Sequence, residues 1–223
     1  MDEFVPSLPG MGIGPFDFGM YSGYAAIKNT TKNLHYLLVE SARDWKTDPL
    51  IVWTNGGPGC SSMLAFMQEH GPYNLPNGGD GFVKSDYSWN REANVLYVEQ
   101  PAGVGYSYCD AQNHPEDCTF DDNSSSQDFL QVILTFFEKY PEYKDHDLYI
   151  SGESYGGIYV PFVTNQIHHH NVVNKMNPNV FKPNLQGFMV GNGVTNWKYD
   201  TEPAFIEMAY WHSLFDSKTY FAM

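Results

Sequence analysis

Asp147-Leu148-Tyr149-Ile150-Ser151-Gly152-Glu153-Ser154-Tyr155-Gly156-Gly157-Ile158-Tyr159-Val160-Pro161 is the stretch on which the reading of this chain turns. It opens with a short apolar run of strand character, passes through Gly152-Glu153-Ser154-Tyr155-Gly156, and continues into a helical pattern. Gly-x-Ser-x-Gly between a strand and a helix is the pattern of a nucleophile elbow. The small residues on either side allow a tight turn that leaves the serine exposed. Two glycines and a serine at fixed spacing arise by chance in roughly one chain in ten of this length. The weight therefore falls on the strand before and the helix after.

Working outward, strand-like runs cover residues 24–27, 34–40, 50–54, 94–99, 147–151 and 185–190. Several are continuously apolar, as strands buried on both faces are. Between them, Phe129, Val132, Ile133, Phe136, Phe137 and Tyr140 recur at helical spacing. This predicts a helix over 124–140, opened by a Ser124/Gln127 capping box and closed by Pro141. A second helix is expected over 156–171, followed by a polar loop to residue 184. Early hairpins followed by strands that alternate with helices predict an α/β fold, a mixed and mostly parallel sheet with helices on both faces. Residues 1–20, rich in Gly and Pro, read as an irregular surface arm. The whole chain reads as a single domain, residues 1–223.

Composition narrows the class. Of 223 residues, 42% are hydrophobic and 16% aromatic, enough for a sizeable core, and the formal charge is −14 with no basic run. That balance makes nucleic acid and anionic membranes poor candidates as partners. The acidity fits two explanations, solubility and service in an acidic compartment. No apolar run has the length of a membrane span, and no signal peptide pattern opens the sequence. The sequons at Asn29 and Asn123 and the Cys109/Cys118 pair in a polar loop point to an exported protein. Cys60 makes the cysteine count odd and calls for a partner elsewhere. The triplet His168-His169-His170 is not a metal site, because helical neighbours point about 100° apart. No metal or cofactor is implied.

Asn55-Gly56-Gly57-Pro58-Gly59 follows the third strand, where this type of fold takes the second donor of its oxyanion hole. Glycines let the backbone approach a carbonyl closely, so Gly57 is the candidate donor beside the N–H of Tyr155.

The run 53–62, with Glu69-His70-Gly71-Pro72, Tyr87-Ser88-Trp89-Asn90, residues 98–108, the elbow and Gly191-Asn192-Gly193, resembles the serine carboxypeptidase family, the carboxypeptidase Y and cathepsin A group. The resemblance runs in family order from about residue 21 onward and implies an α/β-hydrolase fold. It makes Ser154 the acylating nucleophile and Gly57 and Tyr155 the oxyanion donors. Asn55, Gly56, Glu69 and Glu153 would hold the free C-terminal carboxylate of a peptide or protein substrate. Two neighbouring carboxyls cannot both ionise cheaply, so one would keep a proton and donate to the substrate in acid. An acid-active carboxypeptidase of secreted, lysosomal or vacuolar location is implied.

The family order of the triad is serine, acid, histidine, with the last two far downstream. Asp200 or Glu202 and then His212 satisfy the order, yet 203–215 reads as one helix, with no strands to carry an acid and a base to separate turns. Residues from about 200 to 223 resemble the opening of the family's lid. The expectation is a chain that stops at the start of the lid and lacks its triad Asp and His, inactive alone unless a second chain completes it. The unpaired Cys60 fits, since the corresponding family cysteine pairs with one further on. Three alternatives stand beside the carboxypeptidase. One is an acyltransferase of the same family, which usually carries Asp where this elbow has Glu153. Another is a general esterase or lipase, and the third a non-catalytic truncated or binding form.

Overall fold

A computed structural model describes residues 3–9, 16–76, 79 and 81–223. Strands β1 (Met20–Ala26), β2 (Asn33–Val39) and β3 (Leu50–Thr54) come first, and a two-stranded hairpin of β4 (Tyr73–Asn74) and β5 (Val83–Lys84) follows. Then come β6 (Asn94–Val98), helix α1 (Asp122–Lys139), β7 (Leu148–Glu153), helix α2 (Gly156–Val173) and β8 (Leu185–Gly191). The main sheet runs β1-β2-β6-β3-β7-β8. Its first two pairings, β1 with β2 and β2 with β6, are antiparallel, and the remaining three are parallel.

Local chemistry accounts for this order. The β1–β2 turn places Asn29 at φ 62°, a left-handed position that Asn tolerates better than most side chains. β6 is buried at every residue, as a strand covered on both faces must be. Side chains alternate across it. Leu96 and Val98 join Val52, Leu38 and Ile150 in a core against Phe129, Val132, Ile133 and Phe136 of α1 and Val160, Val163 and Ile167 of α2. Val95 and Tyr97 point the other way, with Leu37, Val39 and Trp53, toward a turn of helix at Ala65–Glu69 and the aromatic side chains of Phe16 and Phe18.

Several boundaries differ from the sequence reading, β1 for one starting at Met20 rather than at residue 24. α1 starts at Asp122, capped by Asp121, whose carboxylate accepts from the Ser124 amide at 2.7 Å. Gln127 takes no part, because Ser124 itself fills the third position of the capping box. The N-terminal arm is not irregular throughout. The Val5 amide donates to the Met20 carbonyl and the Ser22 amide to the Glu3 carbonyl, both at 2.8 Å, which extends the sheet beyond β1. Residues 10–15 of that arm lie outside the described residues. Finally, α3 (Trp197–Asp200) and α5 (Ser217–Tyr220) flank the helix read over 203–215, which is α4 (Glu202–Trp211) and ends at Trp211, before Ser213 at φ 60°.

β8 pairs only with β7 among the described residues, and Phe188 on it is 52% exposed. Trp211 and Leu214 are also exposed. The energetic centre lies at the other end of the sheet, on α1. Phe136 is fully buried among Tyr36, Phe137, Tyr140 and Tyr143. Phe136→Ala in the full-length protein is expected to cost about 3–5 kcal/mol, read as a large fall in melting temperature. A loss under about 1 kcal/mol would mean that this cluster is not the core.

Candidate active site

The end of β7 delivers Ser154 in a conformation that no ordinary strand or helix residue adopts, with φ 73°. A left-handed non-glycine residue costs about 1–3 kcal/mol and persists only where its surroundings fix it. Here they do. The Ser154 amide donates to the Gly191 carbonyl at 3.1 Å, and its carbonyl accepts from the Gly157 and Val194 amides at 3.0 and 2.8 Å. A Cβ on Gly152 would stand 2.5 Å from the Thr54 carbonyl oxygen, and one on Gly157 would stand 2.4 Å from that of Val194. These glycines are steric necessities of the elbow.

The loop after β3 lies directly against it. Gly56 is buried, and a Cβ there would come within 2.4 Å of the Tyr155 amide nitrogen and 2.9 Å of the Ser154 Cβ. Gly57 sits at φ 109° and is exposed, with its peptide to Pro58 in the cis form. The Cys60 amide closes the loop onto the Gly56 carbonyl at 3.1 Å. Among the described residues neither the Gly57 nor the Tyr155 amide donates to a protein acceptor. Tyr155 is also the N-cap of α2, where amides are left over by the helix and its dipole favours negative charge.

On one side of Ser154 a polar cluster is built around Asn55. Its Nδ2 donates to Glu69 Oε1 and to Glu153 Oε1, both at 3.2 Å. The Trp53 indole Nε1 donates to Asn55 Oδ1 at 2.9 Å. An indole can only donate, so the amide oxygen must face Trp53 and both amide hydrogens must face the carboxylates. The Asn55 amide in turn donates to Ser62 Oγ at 3.1 Å, and Ser62 donates to the Val98 carbonyl at 2.6 Å. Burial raises the Glu69 pKa first, and the charge of Glu153 raises it further, against a smaller opposing effect of the bond from Asn55. Trp53 and Ser62 were not singled out from the sequence. The signal for Trp53 is its place two residues before Asn55, on the same face at the end of β3.

Asp200 and His212 stand apart from this cluster. Asp200 Oδ2 accepts from the Thr195 amide, the Thr195 hydroxyl and the Asn196 amide at 2.8, 2.7 and 2.8 Å. His212 Nδ1 bonds the Met208 carbonyl one turn back at 2.8 Å. Of the His triplet, His170 bonds the Phe181 carbonyl at 2.9 Å. Among the described residues no cluster of three or more His, Cys, Asp or Glu could hold a metal, and no helix is long and apolar enough to cross a membrane. Cys109 and Cys118 are bonded to each other, and Cys60 is free and exposed. Asn29 and Asn123 are exposed, one in the β1–β2 turn and the other in the first turn of α1.

A strained serine between a parallel strand and a helix, with a glycine loop from the neighbouring strand packed on it, defines an α/β-hydrolase. Comparison with known proteins narrows the class. The serine carboxypeptidase family profile matches residues 9–223, and the chain belongs to that family. It is 42% identical to serine carboxypeptidase-like 21 of Arabidopsis thaliana over 202 residues, 88% of this chain and 39% of that protein. It is 37% identical to the lysosomal protective protein of Mus musculus over 214 residues, 96% of this chain and 42% of that one. Kex1(delta)p, a prohormone-processing carboxypeptidase from Saccharomyces cerevisiae, superimposes with a TM-score of 0.74 at 25% identity, covering 90% of this chain and 44% of the other. The chain thus spans less than half the length of each of these relatives.

The disulfide lends itself to a direct check. Residues 92–139 contain no Lys or Arg before Lys139, so trypsin leaves both cysteines in one peptide. That peptide should gain two hydrogens on reduction; an unchanged mass would show that Cys109 and Cys118 are not bonded to each other.

Proposed function

We propose that this chain carries the nucleophile and the carboxylate-recognition half of a serine carboxypeptidase. Ser154 Oγ attacks the last peptide carbonyl, forming a C–O bond as the C–N bond breaks. The released amine takes up the proton that the serine gave away, and water then hydrolyses the acyl-enzyme. The developing oxyanion is stabilised by the amides of Gly57 and Tyr155, which have no protein acceptor among the described residues. The base and acid that move the proton are assigned to sequence beyond these residues. Two things support that assignment: the relatives are more than twice as long, and Asp200 and His212 are committed to local turns. Residues from about 200 to 223 would open the lid.

The observation that carries the reading is the Asn55 amide held between Glu69 and Glu153 beside the elbow. A substrate carboxylate placed there would take over an Asn55 amide hydrogen now given to Glu69 or Glu153, and would meet the Gly56 amide and any carboxyl that keeps its proton. The raised Glu69 pKa favours that proton. The sign follows: recognition is present while Glu69 is protonated and is lost as pH rises through its raised pKa. Glu153, where the family's acyltransferases usually carry Asp, is a further support for the peptidase. A secreted or lysosomal location is supported by the Cys109–Cys118 bond, the exposed sequons and the lysosomal protective protein among the relatives.

Two measurements on the full-length protein test this. A fluorophosphonate probe should label Ser154 alone, and labelling that survives Ser154→Ala would remove it as nucleophile. Glu69→Gln with Glu153→Gln keeps hydrogen-bond donors and removes the titration, so the alkaline fall in kcat/KM on free-acid peptides should flatten. If that double variant keeps the full alkaline fall, or if C-terminally amidated peptides are cleaved as well as free acids, the carboxylate role is wrong.

A further inference from the structure

Behind the glycine loop lies a carboxylate that the scheme above does not use. Glu99, at the end of β6, has a completely buried side chain. It accepts from His35 Nδ1 at 2.9 Å, from the Tyr106 amide at 2.9 Å and from the Ser61 hydroxyl. A carboxylate can only accept, so His35 Nδ1 carries a proton, and the other ring nitrogen lies 2.8 Å from Ser22 Oγ. Hydroxyl, imidazole and carboxylate therefore stand in the order of a catalytic triad, at the edge of an apolar cavity of about 650 Å³ that Ser22, His35 and Tyr106 help to line.

Ser22 is nevertheless not a second nucleophile. It sits mid-strand in β1, paired with Leu37. Its amide, the natural first oxyanion donor, is spent on the Glu3 carbonyl. An acyl-transfer site without such a donor lacks its largest source of rate.

The cluster faces the glycine loop instead. That loop contains Gly56, Gly57 at φ 109°, Pro58 and Gly59 at φ 85°, so its conformation depends on how its two ends are held. The entering end is fixed through Asn55. The leaving end is fixed twice, by Ser62 on the Val98 carbonyl and by Ser61 on Glu99. Glu99 itself cannot shift. Its amide donates to the His35 carbonyl at 3.0 Å, and its carbonyl accepts from the Ser107 hydroxyl at 2.7 Å. A Cβ on Gly105 would lie 1.9 Å from its Oε1, so the space for the carboxylate exists only because residue 105 is glycine. Burial pushes Glu99 up, but the hydrogen bonds from His35, Ser61 and Tyr106 outweigh it and hold the group below the ordinary carboxylate range.

We infer that Glu99, oriented by His35, is a positioning residue for the oxyanion loop, setting the direction of the Gly57 amide through Ser61. The inference rests on the reading of Gly57 as an oxyanion donor to Ser154. It separates Glu99 from Glu69 and Glu153, which hold substrate.

The test uses the full-length protein, a free-acid peptide substrate and the variants Ser61→Ala, Ser61→Thr and Gly105→Ala. Ser61→Ala removes the tether, and Gly105→Ala displaces Glu99 from the opposite side. Both should lower kcat by roughly tenfold or more, short of the 10²–10³-fold of losing a donor outright. KM should stay within about twofold, because Asn55, Glu69 and Glu153 are untouched. Phosphonylation of Ser154 should slow in parallel, and Ser61→Thr, which keeps the hydroxyl, should behave as wild type. A lower melting temperature with unchanged kcat, or a rise in KM alone, would reduce Glu99 to a structural residue and overturn the inference. Wild-type activity that survives Ser154→Ala would overturn the nucleophile assignment instead, before any of these variants is compared.

Discussion

The pairing of β3 with β7 sets Thr54 opposite Gly152, and the rest of the site follows from that register. In a parallel pair both chains leave the sheet at the same edge, so the loops that begin at Asn55 and Ser154 start side by side. The contact is close enough to exclude a side chain at Gly152, where a Cβ would meet the Thr54 carbonyl at 2.5 Å. A slip of one residue would turn Trp53 and Thr54 to opposite faces and part Asn55 from Glu153. Burial of every residue of β6 and of most of β3 and β7 is what prevents the slip, since any other register would leave apolar side chains unmatched against α1 and α2.

On the proposed reading the same short loop serves two roles, with Asn55 and Gly56 receiving the substrate carboxylate and Gly57, the next residue, donating to the oxyanion. The two ends of the loop are tied to the sheet by different partners: Asn55 to Trp53 and Ser62, Ser62 to β6, and Ser61 to Glu99. The loop is thus free in its glycines and fixed at its ends. Two carboxylates beside Ser154 are an electrostatic cost that the Asn55 amide partly offsets, by giving each of them a hydrogen bond. The α2 N-terminus lies next to the same serine and offers positive potential there.

Much of this was legible in the sequence. The six strands of the main sheet, α1, α2 and the elbow follow from apolar periodicity and from glycines that only a tight turn requires. The importance of Glu69 was not readable from its surroundings and came from the resemblance of residues 53–62 and 69–72 to the family. What stayed hidden was side-chain pairing across strands. Nothing in the spacing of Trp53, Ser61 or Ser62 shows which atoms they bond, and Glu99 meets His35 only once β2 and β6 are paired. The arm at Glu3–Val5 reads as irregular because its pairing with β1 has no alternation to announce it. Periodicity and capping chemistry start α1 late because Asp121 and Ser124 both suit a cap, and the structure uses the two together.

The central claim is that a carboxylate-bearing ligand binds beside Ser154 through a carboxyl that must be protonated. Calorimetry on full-length Ser154→Ala, in buffers of different ionisation enthalpy, measures that proton directly. Above the raised Glu69 pKa, binding of a free-acid peptide should take up close to one proton, while the amide of the same peptide binds weakly and takes up none. Equal heats in every buffer for the free acid, or equal affinity for acid and amide, would contradict it.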